Sequence, residues 1–186
     1  MTKQGTRIKR VICLYGGPGT GKSTTAAHLF ALLKQSGVNA ELVCEYVKEW
    51  AWEGRKILDG DQYYFLAKQS RRERIRFRNV DVLVTDSPVW LSAVYEQEFE
   101  QEPFICQMMI DKHVQVAQRH DVKHEHVFLR RLKQYNPNGR FQTEAEAHRL
   151  DEKIKTYLNS YEIKFIEVDA DPAAASNISR LLGLLP

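Results

Sequence analysis

Residues 16 to 23 read Gly16-Gly17-Pro18-Gly19-Thr20-Gly21-Lys22-Ser23. They match the pattern G-x-x-x-x-G-K-[ST] at every fixed position. The spelling has a chemical reason. Backbone without bulky side chains can wrap a polyphosphate and aim several N–H groups at its oxygens. Gly16 to Gly21 supply that cradle, and Thr24 follows it into the next element. Lys22 adds a mobile positive charge near the β- and γ-phosphates, and Ser23 offers a hydroxyl oxygen to Mg²⁺.

Two acids and a cationic loop have types suited to the same chemistry. Asp86 closes the apolar run Val80-Asp81-Val82-Leu83-Val84-Thr85, where a carboxylate can hold Mg²⁺ directly or through water. Glu45 directly follows Ala40-Glu41-Leu42-Val43-Cys44. A carboxylate there can orient an acceptor hydroxyl and take its proton. Arg130, Arg131, Lys133 and Arg140 surround Asn136-Pro137-Asn138-Gly139. Such a loop, hinged on Gly and Asn, can close over a transferring phosphoryl group and neutralise its spread charge. Arg131 is expected on bound phosphates and Arg140 on the transferring group, with Arg149 in the following helix.

The elements that must position these groups follow from pattern. Ile8 to Tyr15 reads as a buried strand, and Lys22 to Lys34 as a helix with Ala26, Leu29, Phe30 and Leu33 on one face. Ala40–Cys44 and Val80–Asp86 read as the second and third strands, His126–Leu129 as the fourth and Lys164–Val168 as the fifth. Helices are expected over about 46–55, 61–78, 89–98 and 103–119. A further helix opens at Thr143-Glu144-Ala145-Glu146, which has capping-box spelling. The last starts at Asp171-Pro172. Five strands alternating with helices imply an α/β fold, a five-stranded parallel sheet sandwiched by helices. Glu45, Asp86 and the Arg130 loop would then meet the phosphate loop at the carboxyl edge of the sheet.

Other stretches admit two meanings. Lys68, Arg71, Arg72, Arg74, Arg76 and Arg78 stand against the single acid Glu73. Phe65, Leu66 and Ile75 supply the core contact of that helix. The cations could meet nucleic-acid phosphates, although such runs are more often a solvated face. On the helix that begins at Tyr46, Trp50 and Trp52 point to opposite sides. One is expected in the core; the other could stack on an acceptor base, although core packing of both is the commoner outcome. The histidines show no metal-ligand spacing, including the four at His113, His120, His124 and His126.

Hydrophobic content of 43% and charged content of 27% are ordinary for a soluble globular protein. The 186 residues suffice for one domain with a sizeable core, with helices about 46–79 on the acceptor side and a lid over about 130–142. Net charge is +3, too mild to imply nucleic-acid binding by itself. No apolar run reaches the ~20 residues that span a membrane, and the basic start lacks a secretory apolar segment. Cys13, Cys44 and Cys106 look like reduced core cysteines of a cytoplasmic protein.

Taken together, the phosphate loop, Glu45-Tyr46, Thr85-Asp86-Ser87-Pro88 and the arginine loop resemble the P-loop nucleoside and nucleotide kinases. Within them the chain is most similar to the AAA-like group with nicotinamide-riboside kinase domains and phage-encoded kinases. The resemblance implies a P-loop kinase with an arginine lid that moves the γ-phosphate of ATP, with Mg²⁺, to a nucleoside-type acceptor. Lys22, Ser23, Asp86 and Arg140 carry over to the phosphate, metal and lid roles. Deoxynucleoside and thymidylate kinases usually place arginine after the strand-three acid. Ser87 stands there instead, which counts against a simple deoxynucleoside kinase. Some phage relatives are thought to phosphorylate hydroxymethylated pyrimidines such as 5-hydroxymethyluracil within DNA, and the Arg71 to Arg78 run suits that alternative. Phosphorylation of a DNA 5′-hydroxyl and a regulatory ATPase are the other readings.

Overall fold

In the computed structural model, residues 9–58, 60–99, 104–132 and 143–185 are described. The strands are β1 (Lys9–Tyr15), β2 (Ala40–Val43), β3 (Val82–Thr85), β4 (Val122–Arg130) and β5 (Phe165–Asp169). The helices are α1 (Lys22–Gln35), α2 (Lys48–Trp52), α3 (Asp61–Phe77), α4 (Trp90–Phe99), α5 (Phe104–Gln118), α6 (Glu144–Ser160) and α7 (Ala174–Leu181). All strand pairs are parallel, in the order β2-β3-β1-β4-β5.

Successive strand residues point to opposite faces, and β1 divides the core accordingly. Val11, Cys13 and Tyr15 pack among residues of α3, α4, α5 and α6. Ile12 and Leu14 pack with α1 and α7. A sheet covered on both faces needs apolar residues throughout its strands, which is why the four residues of β3 are all buried. The register aligns Cys13 with Thr85 and His126, and Val43 with Thr85. The segments after these strand ends therefore leave the sheet at one edge.

Helix ends follow local chemistry where the sequence spelled it. At α6 the Thr143 hydroxyl accepts from the Glu146 N–H at 3.3 Å, and the Glu146 carboxylate accepts from the Thr143 N–H at 2.7 Å. At α7 the Asp171 carboxylate accepts from the Ala173 N–H at 2.8 Å, but the helix begins at Ala174 rather than at Pro172. The 172–173 segment is a turn that precedes it.

Several expectations need correction. Strand β4 begins four residues before His126, because Val122 to Glu125 extend the pairing along β1. The helix after β2 is only Lys48–Trp52. Cys44 is exposed, not core. Ile75 is 49% exposed, because the inward stripe of α3 runs through Gln62, Phe65, Leu66, Gln69, Ser70, Glu73 and Phe77. Position 75 falls off that stripe. Neither tryptophan of α2 is buried: Trp50 packs edge-on against Phe65 at 4.9 Å, and Trp52 is 67% exposed. Among the described residues, no helix is long and apolar enough to cross a membrane.

Candidate functional site

The phosphate loop joins the end of β1 to the start of α1, so the first amides of α1 face the space above the sheet edge. Its tightness requires glycine at two points. Gly16 has φ +139°, and a Cβ there would stand 2.6 Å from the Thr20 hydroxyl. A Cβ on Gly17 would stand 2.5 Å from the Ala147 carbonyl. The Thr20 hydroxyl donates to the Gly17 carbonyl at 2.9 Å and braces the loop from within.

The Lys22 ammonium donates to the Gly16 and Gly17 carbonyls at 2.6 and 3.1 Å. Burial pushes its pKa below the ordinary lysine value, while Glu45, Asp86 and Asp151 act in the opposite direction. Those three acids therefore share one electrostatic neighbourhood with Lys22. Asp86 is 3% exposed at the end of β3, and its Oδ1 has no hydrogen-bond partner among the described residues. A buried carboxylate oxygen in that condition suits a cation. Ser23 follows Lys22 at the start of α1 and lines a cleft that Ser87, the residue after Asp86, also lines. The donor set of a hydroxyl and a carboxylate is one that Mg²⁺ accepts.

The cleft has a volume of about 720 Å³. Pro18, Gly19, Gly21, Lys22, Ser23 and Thr24 line one end. Tyr46, Trp52, Gln62, Phe65, Gln69 and Tyr95 line the other, with Glu45 also on the wall. Arg149 lines the cleft from α6.

The cationic loop is only partly as expected. Arg130 pairs with Asp169 at 2.8 Å at the strand ends. Arg131 is fixed rather than free to swing: its Nε donates to Asp151 at 2.9 Å and its Nη1 to the Pro18 carbonyl at 2.8 Å. Asp151 in turn accepts from the Gly17 N–H. The pair clamps the back of the phosphate loop. Sequence reasoning missed Asp151, although an acid on the buried stripe of α6, beside Ala147, Leu150 and Ile154, was a usable signal. Lys133, Arg140 and the 136–139 hinge lie outside the described residues.

The basic residues of α3 are not brought to the cleft, whose α3 lining is Gln62, Phe65 and Gln69. Arg72 lies over the Tyr46 ring at 4.8 Å and contacts Glu49 at 3.6 Å. Arg74 and Arg76 donate back to carbonyls of their own helix.

The family model described as the AAA domain matches residues 11–174. No curated protein matches. Among solved structures, the protein APE1195 aligns with a TM-score of 0.52 at 15% identity, over 95% of this chain and 96% of its own. The NadR protein in complex with NAD and AMP-PNP aligns with a TM-score of 0.62 at 14% identity, over 95% of this chain and 50% of its own. NadR in complex with NR gives 0.65 at 15% identity, with coverages of 95% and 52%. This chain therefore spans about half the length of NadR. At these identities the likeness concerns the fold.

Proposed function

The chain belongs to the AAA domain family of P-loop proteins, and from that premise we propose that it is an ATP- and Mg²⁺-dependent phosphotransferase whose acceptor is a nucleoside-type hydroxyl. One observation carries the reading. A single cleft runs from the phosphate loop to an aromatic and amide-lined end, with an acid on its wall. A hydrolase has no need of that second end.

The backbone of Gly16 to Thr24 cradles the triphosphate, and Lys22 neutralises the oxygens of the transferring group. Ser23 and Asp86 are the residues that would hold Mg²⁺, which supplies charge neutralisation on the phosphate oxygens. Glu45 orients the acceptor hydroxyl and takes its proton as the acceptor oxygen bonds to the γ-phosphorus and the bond from that phosphorus to the bridging oxygen breaks, with ADP leaving. Tyr46, Phe65 and Tyr95 offer ring surface to a base or similar ring, and Gln62 and Gln69 offer amide groups to its edge. Arg131 acts through Pro18 and Asp151, holding the loop in its binding shape. Arg140 is the residue this reading assigns to the transferring phosphoryl; of the expected 130–142 lid, Arg130 and Arg131 are held by Asp169 and Asp151 and do not swing with it. The whole of 1–186 works as one kinase unit in the cytoplasm, with acceptor-side helices at about 46–79. The ligands in the NadR structures, AMP-PNP, NAD and NR, are of the donor and acceptor classes this cleft suits.

A second reading rests on the cation-rich outer face of α3. There the acceptor would be a hydroxymethyl base, such as 5-hydroxymethyluracil, or a 5′-hydroxyl in DNA, with phosphates bound by Lys68, Arg71, Arg72, Arg74, Arg76 and Arg78. The cleft favours the first reading, because none of these six lines it. Incubation with γ-labelled ATP and Mg²⁺ separates the two. Nucleosides, nicotinamide riboside, nucleoside monophosphates, plain DNA and hydroxymethylpyrimidine DNA serve as acceptors. Label on a small acceptor is expected. Label only on DNA selects the second reading, and phosphate release without any labelled acceptor makes the protein an ATPase and ends both.

A further inference from the structure

Beneath the cleft, on the α3–α5 side of the sheet, lies a polar cluster that phosphoryl transfer does not use. Glu73 of α3 is 0% exposed, and His113 of α5 is 2% exposed. His124 reaches the same point from β4. Glu73 Oε2 and His113 Nε2 stand 3.2 Å apart. One donor atom from each of the three residues lies within 4.8 Å of the others. Both carboxylate oxygens of Glu73, His113 Nε2 and His124 Nε2 are buried, with no hydrogen-bond partner among the described residues. Apart from the Glu73–His113 contact these atoms have no partner among the described residues, and three buried donor atoms gathered within 4.8 Å of one another are costly unless something binds them. Histidine spacing along the chain gave no hint of this, because the carboxylate comes from a residue 40 positions before His113.

We propose that Glu73, His113 and His124 form a buried site for a divalent transition-metal ion, with zinc as the matching chemistry. Two imidazole nitrogens and one carboxylate are a zinc-type set, whereas Mg²⁺ and Ca²⁺ want oxygens. Bonds of about 2.0–2.1 Å in tetrahedral geometry put ligand atoms about 3.3 Å apart, close to the 3.2 Å between Glu73 and His113. One ion meets every orphaned nitrogen together with the carboxylate, and a water completes the fourth position. The outer partners are also in place. Ser70 Oγ sits 3.0 Å from His113 Nδ1 and fixes the ring so that Nε2 faces the site. The Trp90 ring packs edge-on to His124 at 5.0 Å and to His113 at 6.4 Å, walling the site. The ion staples α3, α5 and β4 together, below the stretch of α3 that supplies Gln69 to the cleft.

The test uses the tag-free full chain, stripped with a chelator and then given Co²⁺ or Zn²⁺ alone as probe. Excess Mg²⁺ and ATP keep the phosphate-loop site out of the measurement. The expected result is uptake of one equivalent, a tetrahedral visible spectrum with Co²⁺ and a raised melting temperature with Zn²⁺. His124→Gln and Glu73→Gln should abolish the spectrum. Should either fail to fold, Ser70→Ala still decides: loss of the outer hydrogen bond weakens metal affinity by about 10–100-fold, while a hydroxyl outside a metal site would leave affinity unchanged. Absence of uptake, or uptake with the same spectrum and affinity in folded variants, overturns the proposal.

Discussion

Glu45 and Lys22 carry the most direct consequences of the proposed chemistry. A general base contributes about 10²–10⁴-fold. Glu45→Gln should therefore lower kcat by at least about 100-fold while ATP still binds, as read by single-turnover transfer and by nucleotide titration. Unchanged transfer would remove Glu45 from the reaction. Lys22→Ala should abolish transfer without loss of stability, because burial works against its charge in the folded state. Activity and thermal melting of the same preparation check both halves. Arg131 and Asp151 differ in kind. Their side chains are 6% and 11% exposed and meet at 2.9 Å. Removing one partner of such a buried pair costs about 3–5 kcal/mol. Asp151→Ala should cost that much in denaturant unfolding and weaken ATP binding as well, since Gly17 loses its acceptor. A variant as stable as the parent would show that the clamp does nothing for the loop.

Elements were legible where local rules act within a few residues. The phosphate loop, the strand ends that deliver Glu45 and Asp86, and the Thr143–Glu146 box all follow from short patterns. The box allows a clean check. Thr143→Ala should cost about 1 kcal/mol, measured by chemical denaturation. The Glu146 carboxyl is held below its ordinary range by the Thr143 N–H, then by the Thr143 hydroxyl. A carboxyl depressed in the folded state stabilises above its unfolded pKa and ceases to as pH falls through the folded one. The difference between Thr143→Ala and the parent should thus shrink in acid. Illegible elements were those whose faces are set by partners distant in sequence. Helix α3 turns Gln69, Ser70 and Glu73 inward and Ile75 outward because Thr85 and His113 await the polar groups. A hydropathy pattern cannot see that. Helix α2 is likewise too short to bury either tryptophan, and Trp52 ends on the cleft wall instead.

At the scale of the molecule, the phosphate loop and the start of α1 line one part of the cleft and α2, α3 and α4 another; in the proposed reading these are the donor and acceptor ends. Substitutions at the acceptor end should then act on one substrate only. Gln69 is 4% exposed, its Nε2 donates to the Thr85 hydroxyl at 3.3 Å, and its Oε1 has no hydrogen-bond partner among the described residues. An acceptor that meets this oxygen removes the cost of a buried unpaired group, about 1–3 kcal/mol. Gln69→Leu should therefore raise the acceptor KM about 10–100-fold and leave the KM for ATP in place. The outer face of α3 gives the opposing measurement. Charge reversal by Arg74→Glu with Arg78→Glu should leave transfer to a small acceptor unchanged. If DNA is the acceptor, the same double change should weaken its binding and flatten the dependence of affinity on salt, with Gln69→Leu acting in addition. Steady-state kinetics on the two variants, each with a nucleoside and with hydroxymethylpyrimidine DNA, thus assign the acceptor to the cleft alone or to the cleft together with the helix surface beside it.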